Sequence, residues 1–193
     1  MPELRLNQDS AVQTHVAKDL PSRRAPATQA DSCDADRMRS DGRALPDLTQ
    51  TIVLRQLGLI RTDQLPDLAA RWLAADMTDT PATRMLAGHN PRDPWKLDQL
   101  LAETAAETGT TAPTDLAALQ EIAVDWVTAT WEDNHDTRAA IATLARLGVT
   151  YPDFDLGLFI GLDDEWNGGW GRLEPDLKAA AEQEIDHILR GQR

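Results

Sequence analysis

The chain is short of the residues that most often carry chemistry: it has one cysteine, three lysines, and no serine beyond Ser40. Cys33 stands alone between Asp31, Asp34 and Asp36, which excludes a disulfide framework and a cysteine-based zinc site. The same carboxylates disfavour the thiolate that a cysteine nucleophile needs. With no late serine, no Gly-x-Ser-x-Gly and no phosphate-cradling glycine loop, neither an acyl-transfer nucleophile nor a cofactor is implied. No stretch approaches the roughly 18 apolar residues of a spanning helix, and the N-terminus lacks a secretory pattern. The expectation is a cytoplasmic protein with no membrane partner. Three lysines, no basic stripe and a formal net charge of −13 disfavour a nucleic-acid partner, since phosphate would repel the chain.

The charge is unevenly placed. Residues 1 to 45 carry seven acids and seven bases, whereas residues 46 to 193 carry 25 acids against 12 bases. The first 45 residues hold all four serines, no aromatic residue and no sustained apolar period, so they read as a disordered polar tail that cannot offset its ordering entropy. The remaining part, about 145 residues, is long enough to bury a core. A polar, turn-prone break at residues 110 to 113 divides it into a helical segment of net charge −3, residues 46 to 112, and an acidic one of −10, residues 113 to 193. These are read either as two helical subdomains or as one packed unit.

From Pro46 onward the apolar spacing is helical and the punctuation agrees with it. Ile52, Leu54, Leu57 and Ile60 mark a first helix, and Thr62 reads as the N-cap of a second carrying Leu65, Leu68 and Trp72. Thr80-Pro81 and Asp93-Pro94 are cap and first-turn pairs, with Gly88 and Gly109 as left-handed stops. Thr114 opens a helix through Trp126 and Val127, Asn134 opens another that runs to Gly148, and a last one runs from Pro175 to Gly191. Strand character is confined to residues 149 to 151 and 158 to 160, too short to found a sheet. The expected fold class is all-α, a bundle of about seven or eight helices.

Two Glu-x-x-His spacings, Glu132 with His135 and Glu184 with His187, resemble half of a bundle metal site. Asp133 and Asn134 interrupt the first. The second lies along the stripe of Leu177, Ala181, Ile185 and Ile188, and Glu107 is the one further acid flanking an apolar face. Glu107, Glu184 and His187 are therefore the candidate metal ligands, set against the plainer reading of Glu184 as a boundary residue.

The densest unusual chemistry is residues 163 to 170, which read Asp-Asp-Glu-Trp-Asn-Gly-Gly-Trp. Asp163, Asp164 and Glu165 make the segment electronegative, and Trp166 and Trp170 offer the rigid aromatic area of a protein-binding hot spot. The competing reading has one or both tryptophans plugging the core beneath a glycine-rich turn. Trp126 and Trp131 fall on the apolar arc of their helix and read as core.

The strings DTPATRMLAG (residues 79 to 88), DPW (93 to 95), LLAETAAETG (100 to 109) and FIGLDDEW (159 to 166) resemble segments of small helical proteins of actinobacteria. The resemblance implies a helical fold and a bacterial cytosolic origin, and it brings no catalytic residue. The composition and the acidic half point to a non-enzymatic protein-binding module with a basic protein as partner. An immunity or antitoxin-like inhibitor is its concrete form. The alternatives are a metal-dependent helical enzyme using Glu184 and His187, and an accessory structural subunit.

Overall fold

Asp47 starts the first helix by accepting the Gln50 N–H at 2.7 Å, while the Gln50 side-chain oxygen accepts the Asp47 N–H at 3.0 Å. Such a reciprocal cap is worth about 1 kcal/mol. The residue before it is tied down from another helix, because the Pro46 carbonyl accepts the indole N–H of fully buried Trp72 at 2.7 Å. The computed structural model describes residues 45–191. Apart from Leu45, the expected disordered tail lies outside the described residues.

Among the described residues the fold is all-α, with eight helices and no strand. They are α1 (Leu48–Gln56), α2 (Leu65–Ala74), α3 (Pro81–Ala87), α4 (Pro94–Thr108), α5 (Leu116–Asn134), α6 (Thr137–Thr150), α7 (Gly157–Gly168) and α8 (Glu174–Gly191). Thr80 and Asp93 cap α3 and α4 as their sequence predicts, accepting the Thr83 and Lys96 N–H groups, and Gly109 closes α4 at φ 69°.

Several boundaries differ from expectation, each for a local reason. Thr62 lies inside a 3-10 turn, Thr62–Gln64, that leads into α2 rather than capping it. Gly88 has φ −92° and is not left-handed, so Asn90-Pro91 rather than a glycine turn keeps the chain from continuing. Asp115, not Thr114, caps α5 by accepting the Ala118 N–H. Asn134 is the last residue of α5. His135 takes the left-handed stop at φ 53°, and Asp136 caps α6. The two short strand-like stretches belong to the end of α6 and to α7.

All described residues lie in one compact unit. Its apolar side chains gather in two clusters, one drawn from α1 to α4 around Trp72, Leu86, Leu97 and Leu100, the other from α5 to α8 around Val127, Ile141, Leu144, Leu156 and Ile185. Helix α1 belongs to both. Leu48 and Leu54 enter the first cluster, Val53 and the C-capping Leu57 enter the second, and Leu59 and Ile122 pack against each. Burying each such side chain contributes roughly 1.5–3 kcal/mol.

Helices α6 and α7 pack with their backbones close, and Gly148 is the reason. A Cβ at this buried position would lie 3.1 Å from Leu156 Cβ and 3.2 Å from Ile160 Cδ1. Gly161, also inside a helix, has nothing within 4 Å of where a Cβ would be. Gly161→Ala is therefore expected to stabilise by about 0.5–1 kcal/mol through backbone entropy. Gly148→Ala should show no such gain, because overpacking of about 1–3 kcal/mol offsets it. Urea unfolding of the two variants checks the pair, and equal gains would contradict the packing described.

Thr51 on α1 is fully buried and its hydroxyl oxygen has no hydrogen-bond partner, a cost of about 1–3 kcal/mol. Thr51→Val keeps the shape and removes the unpaired group, so the unfolding midpoint in urea should rise by the equivalent of about 1 kcal/mol. A fall would mean that the hydroxyl is hydrogen-bonded.

Candidate functional site

Phe159, Leu162 and Trp166 recur at helical spacing along α7, and the first two are buried while Trp166 packs half-buried against the second core cluster. That stripe sets the direction of the acids between them. Asp163 turns toward α6, where Arg138 lies with its guanidinium 5.1 Å from the Trp166 ring centre and one nitrogen 3.8 Å from Asp163 Oδ1. Asn167 completes the group: its Nδ2 donates to Asp163 Oδ2 at 2.9 Å, and its Oδ1 accepts from Arg138 Nη2. A guanidinium over an aromatic face is attracted by the ring quadrupole, and here a carboxylate holds it there.

Glu165 is bound more tightly. Its Oε1 accepts the Arg172 N–H at 2.5 Å and Nε–H at 3.0 Å, and its Oε2 accepts Arg172 Nη2–H at 2.6 Å. Hydrogen bonds from the Arg172 side chain and then its backbone N–H lower the Glu165 carboxyl from 4.5 to about 2. Only 11% of the carboxylate-bearing side chain is exposed. The return of the chain needs Gly171, which has φ 89° and where a Cβ would collide with the Glu165 carboxylate.

This clamp fixes the turn between α7 and α8 and leaves apolar side chains outside it. Trp170 is 62% exposed, with its indole edge lying over Gly168, and Leu173 is 75% exposed. Asp164, Glu174 and Asp176 are exposed nearby in the chain, and none makes an ion pair or side-chain hydrogen bond among the described residues. Glu174 and Asp176 occupy the first turn of α8, where the helix dipole favours negative charge. The five residues singled out in the sequence thus divide. Asp163, Glu165 and Trp166 are engaged by Arg138, Asn167, Arg172 and the core, while Asp164 and Trp170 face solvent.

The candidate metal ligands are not gathered. Glu107 on α4 accepts the Ala82 N–H at 3.0 Å across the start of α3, and a hydrogen bond from Thr80, then that from Ala82, lowers its carboxyl below the usual glutamate value. Glu184 is half-buried and His187 exposed on α8, a helix packed on α5, α6 and α7. Among the described residues no three His, Cys, Asp or Glu side chains come together. Glu132 and His135 both belong to the end of α5, where the His135 ring packs edge-on against Trp131 at 5.8 Å. His89 is half-buried in its turn, with Nε2 3.6 Å from Asp93 Oδ2.

Other residues of consequence escaped the sequence reading. Glu182 accepts from Thr137 Oγ1 at 3.0 Å, and Thr137 in turn accepts the Trp131 indole N–H at 3.1 Å, which ties α5, α6 and α8 together. Trp95 is 83% exposed. Its position was legible, since it falls on the far side of α4 from the buried Leu97, Leu100, Leu101 and Thr104.

The lowered Glu165 carboxyl makes a signed prediction. A depressed folded-state value contributes stability that is present above about 4.5 and is lost as pH falls toward about 2. In Glu165→Gln that window should be flatter in a plot of stability against pH, and in Arg172→Ala the Glu165 carboxyl should titrate clearly above about 2 by carbon-detected NMR while staying below the ordinary 4.5, because the backbone N–H at position 172 remains a donor. A carboxyl still titrating near 2 in Arg172→Ala would show that another group holds it.

Compared with protein-family models, with curated proteins and with solved structures, the chain finds no significant match in any of the three.

Proposed function

We propose that the protein is a non-enzymatic, acidic protein-binding module that docks onto a basic surface of another protein, in the manner of an immunity or antitoxin-like inhibitor of a basic toxin or nuclease. The observation that carries this reading is the way charge is spent in residues 113 to 191. Arg138, Arg172 and Lys178 each pair with a carboxylate of the same segment, Asp163, Glu165 and Glu182 respectively, while Arg146 is exposed and has no ion pair among the described residues. Exposed Glu121, Glu132, Asp153, Asp164, Glu174 and Asp176 have no basic partner among the described residues. The exposed acids left without a basic partner therefore outnumber the exposed base left without an acidic one.

The turn between α7 and α8 adds to that field what a field lacks, a geometric anchor. Trp170 and Leu173 offer exposed apolar area on a turn already rigidified by the Glu165 clamp, so little further ordering is needed on binding. Acidic side chains around such an anchor raise the association rate with a cationic partner and select against an anionic one.

The test is capture from a lysate of the source organism on the immobilised full chain, with elution in steps of salt, followed by stopped-flow association with the purified partner. The expected outcome is a basic protein whose association rate falls steeply with ionic strength. That rate should fall several-fold further when Asp164, Glu174 and Asp176 are neutralised together as Asn, Gln and Asn, while Trp170→Ala should mainly speed dissociation. Asp163 and Glu165 are poor choices for this experiment, since changing them frees arginines and loosens the turn. An association rate indifferent to salt and to the triple variant would overturn the reading. Retention through high salt with loss only in Trp170→Ala would favour an accessory subunit docked by its aromatic surface.

A further inference from the structure

A concave feature lies away from that turn. Helices α5 and α6 and the chain following α1 enclose a cleft of about 230 Å³ whose apolar side includes Leu59, Trp126 and Val127. A space of this size suits a single-ring molecule rather than a dinucleotide or an extended peptide.

The polar groups around it are unequally occupied. Elsewhere in the fold Arg55, Arg61, Arg84, Arg138 and Arg172 sit on a carboxylate, whereas Arg71 and Arg92 have no ion pair among the described residues. Arg146 lines the cleft and has no ion pair or side-chain hydrogen bond among the described residues, although acids outnumber bases across the chain by 32 to 19. Its guanidinium reaches across from α6 to the turn after α1, where Nη1 would lie 3.9 Å from a Cβ at Gly58. Gln64, on the same side, has its side-chain oxygen taken by the Arg61 N–H at 2.8 Å, which leaves its amide N–H groups to offer. Asn134 is in the same state, its oxygen accepting the Asp136 N–H at 2.8 Å. The acid on the wall, Asp136, uses Oδ1 to cap Ala139 at 2.9 Å. It lies ten residues from Arg146 along α6, about 15 Å at 1.5 Å per residue, beyond a Debye length of about 8 Å. At the Arg146 and Gln64 end of the cleft the unspent hydrogen-bonding capacity is therefore cationic and donating, with the free Asp136 Oδ2 at the other end, and a guanidinium fork matches a planar carboxylate.

We propose that this cleft binds a small carboxylic acid with one flat apolar body, its carboxylate on Arg146 and the Gln64 amide and its ring against Leu59, Trp126 and Val127. This site is independent of the protein-binding surface proposed above, and its test does not involve a protein partner. Benzoate is titrated into the isotopically labelled full chain while the six indole N–H resonances are followed, with benzamide as the uncharged control of the same shape. Saturable shifts are expected at Trp126 and Trp131, which line the cleft, and none at Trp95 or Trp170. Arg146→Gln should weaken binding about tenfold or more, with Arg146→Lys in between because it keeps the charge and loses the two-pronged contact. Arg146 is exposed, so these variants retain the fold, as the unchanged indole spectrum of the free protein would verify. Absence of saturable shifts, equal binding of benzamide, or unaltered affinity in Arg146→Gln would each overturn the proposal.

Discussion

Helix α1 is nine residues long and serves two cores at once, and most of the architecture depends on that double use. Adjacent residues Val53 and Leu54 point into different clusters, as a helix requires of neighbours separated by 100°. A helix this short has little stability of its own, so its cap, its contact with Trp72 through the Pro46 carbonyl and its burial from two sides have to form together. The first four helices are thereby assembled against the last four through a shared element rather than through a flat interface. Leu59 and Ile122 thicken the same seam. Disturbing α1 should loosen both clusters, whereas damage confined to α3 or α8 acts on one.

The helical class and most caps were legible because they are local. Thr80-Pro81, Asp93-Pro94 and Gly109 fulfil their roles through bonds within a few residues, with Glu107 adding a distant acceptor only at the start of α3. What escaped depended on partners distant in sequence or on a backbone state the residue type does not announce. A histidine at φ 53° ends α5, and its neighbour Asn134 supplies the hydrogen bond that starts the next turn, so the two helices meet two residues later than the asparagine suggested. Gly148 read as a stop. It lies inside α6, because what it answers to is Leu156 and Ile160 across the helix pair.

The acidic segment illustrates the same limit for electrostatics. Charge can be counted from sequence, but its availability is decided by Arg138, contributed by the preceding helix, and by Arg172, brought back by a left-handed glycine. Two of three consecutive acids became structural and the third remained outside. The tryptophans sort in the same way, Trp166 lying under a guanidinium and Trp170 in solvent, only four residues apart. Trp166 packs half-buried against the second cluster and Trp170 is exposed, so the pair divides between the two environments.

The turn joining α7 to α8 would ordinarily be the place where a protease enters, being exposed, rich in glycine and furnished with an arginine. Here the guanidinium of Arg172 is occupied by Glu165, and the backbone N–H of the same residue is held by the same carboxylate. Trypsin needs that side chain in its specificity pocket and the flanking peptide extended, so cutting after Arg172 requires the clamp to open first. The exposed turn is thus guarded by the residue that would mark it for cleavage, and the rate of nicking there would report how often the start of α8 lifts away from α7.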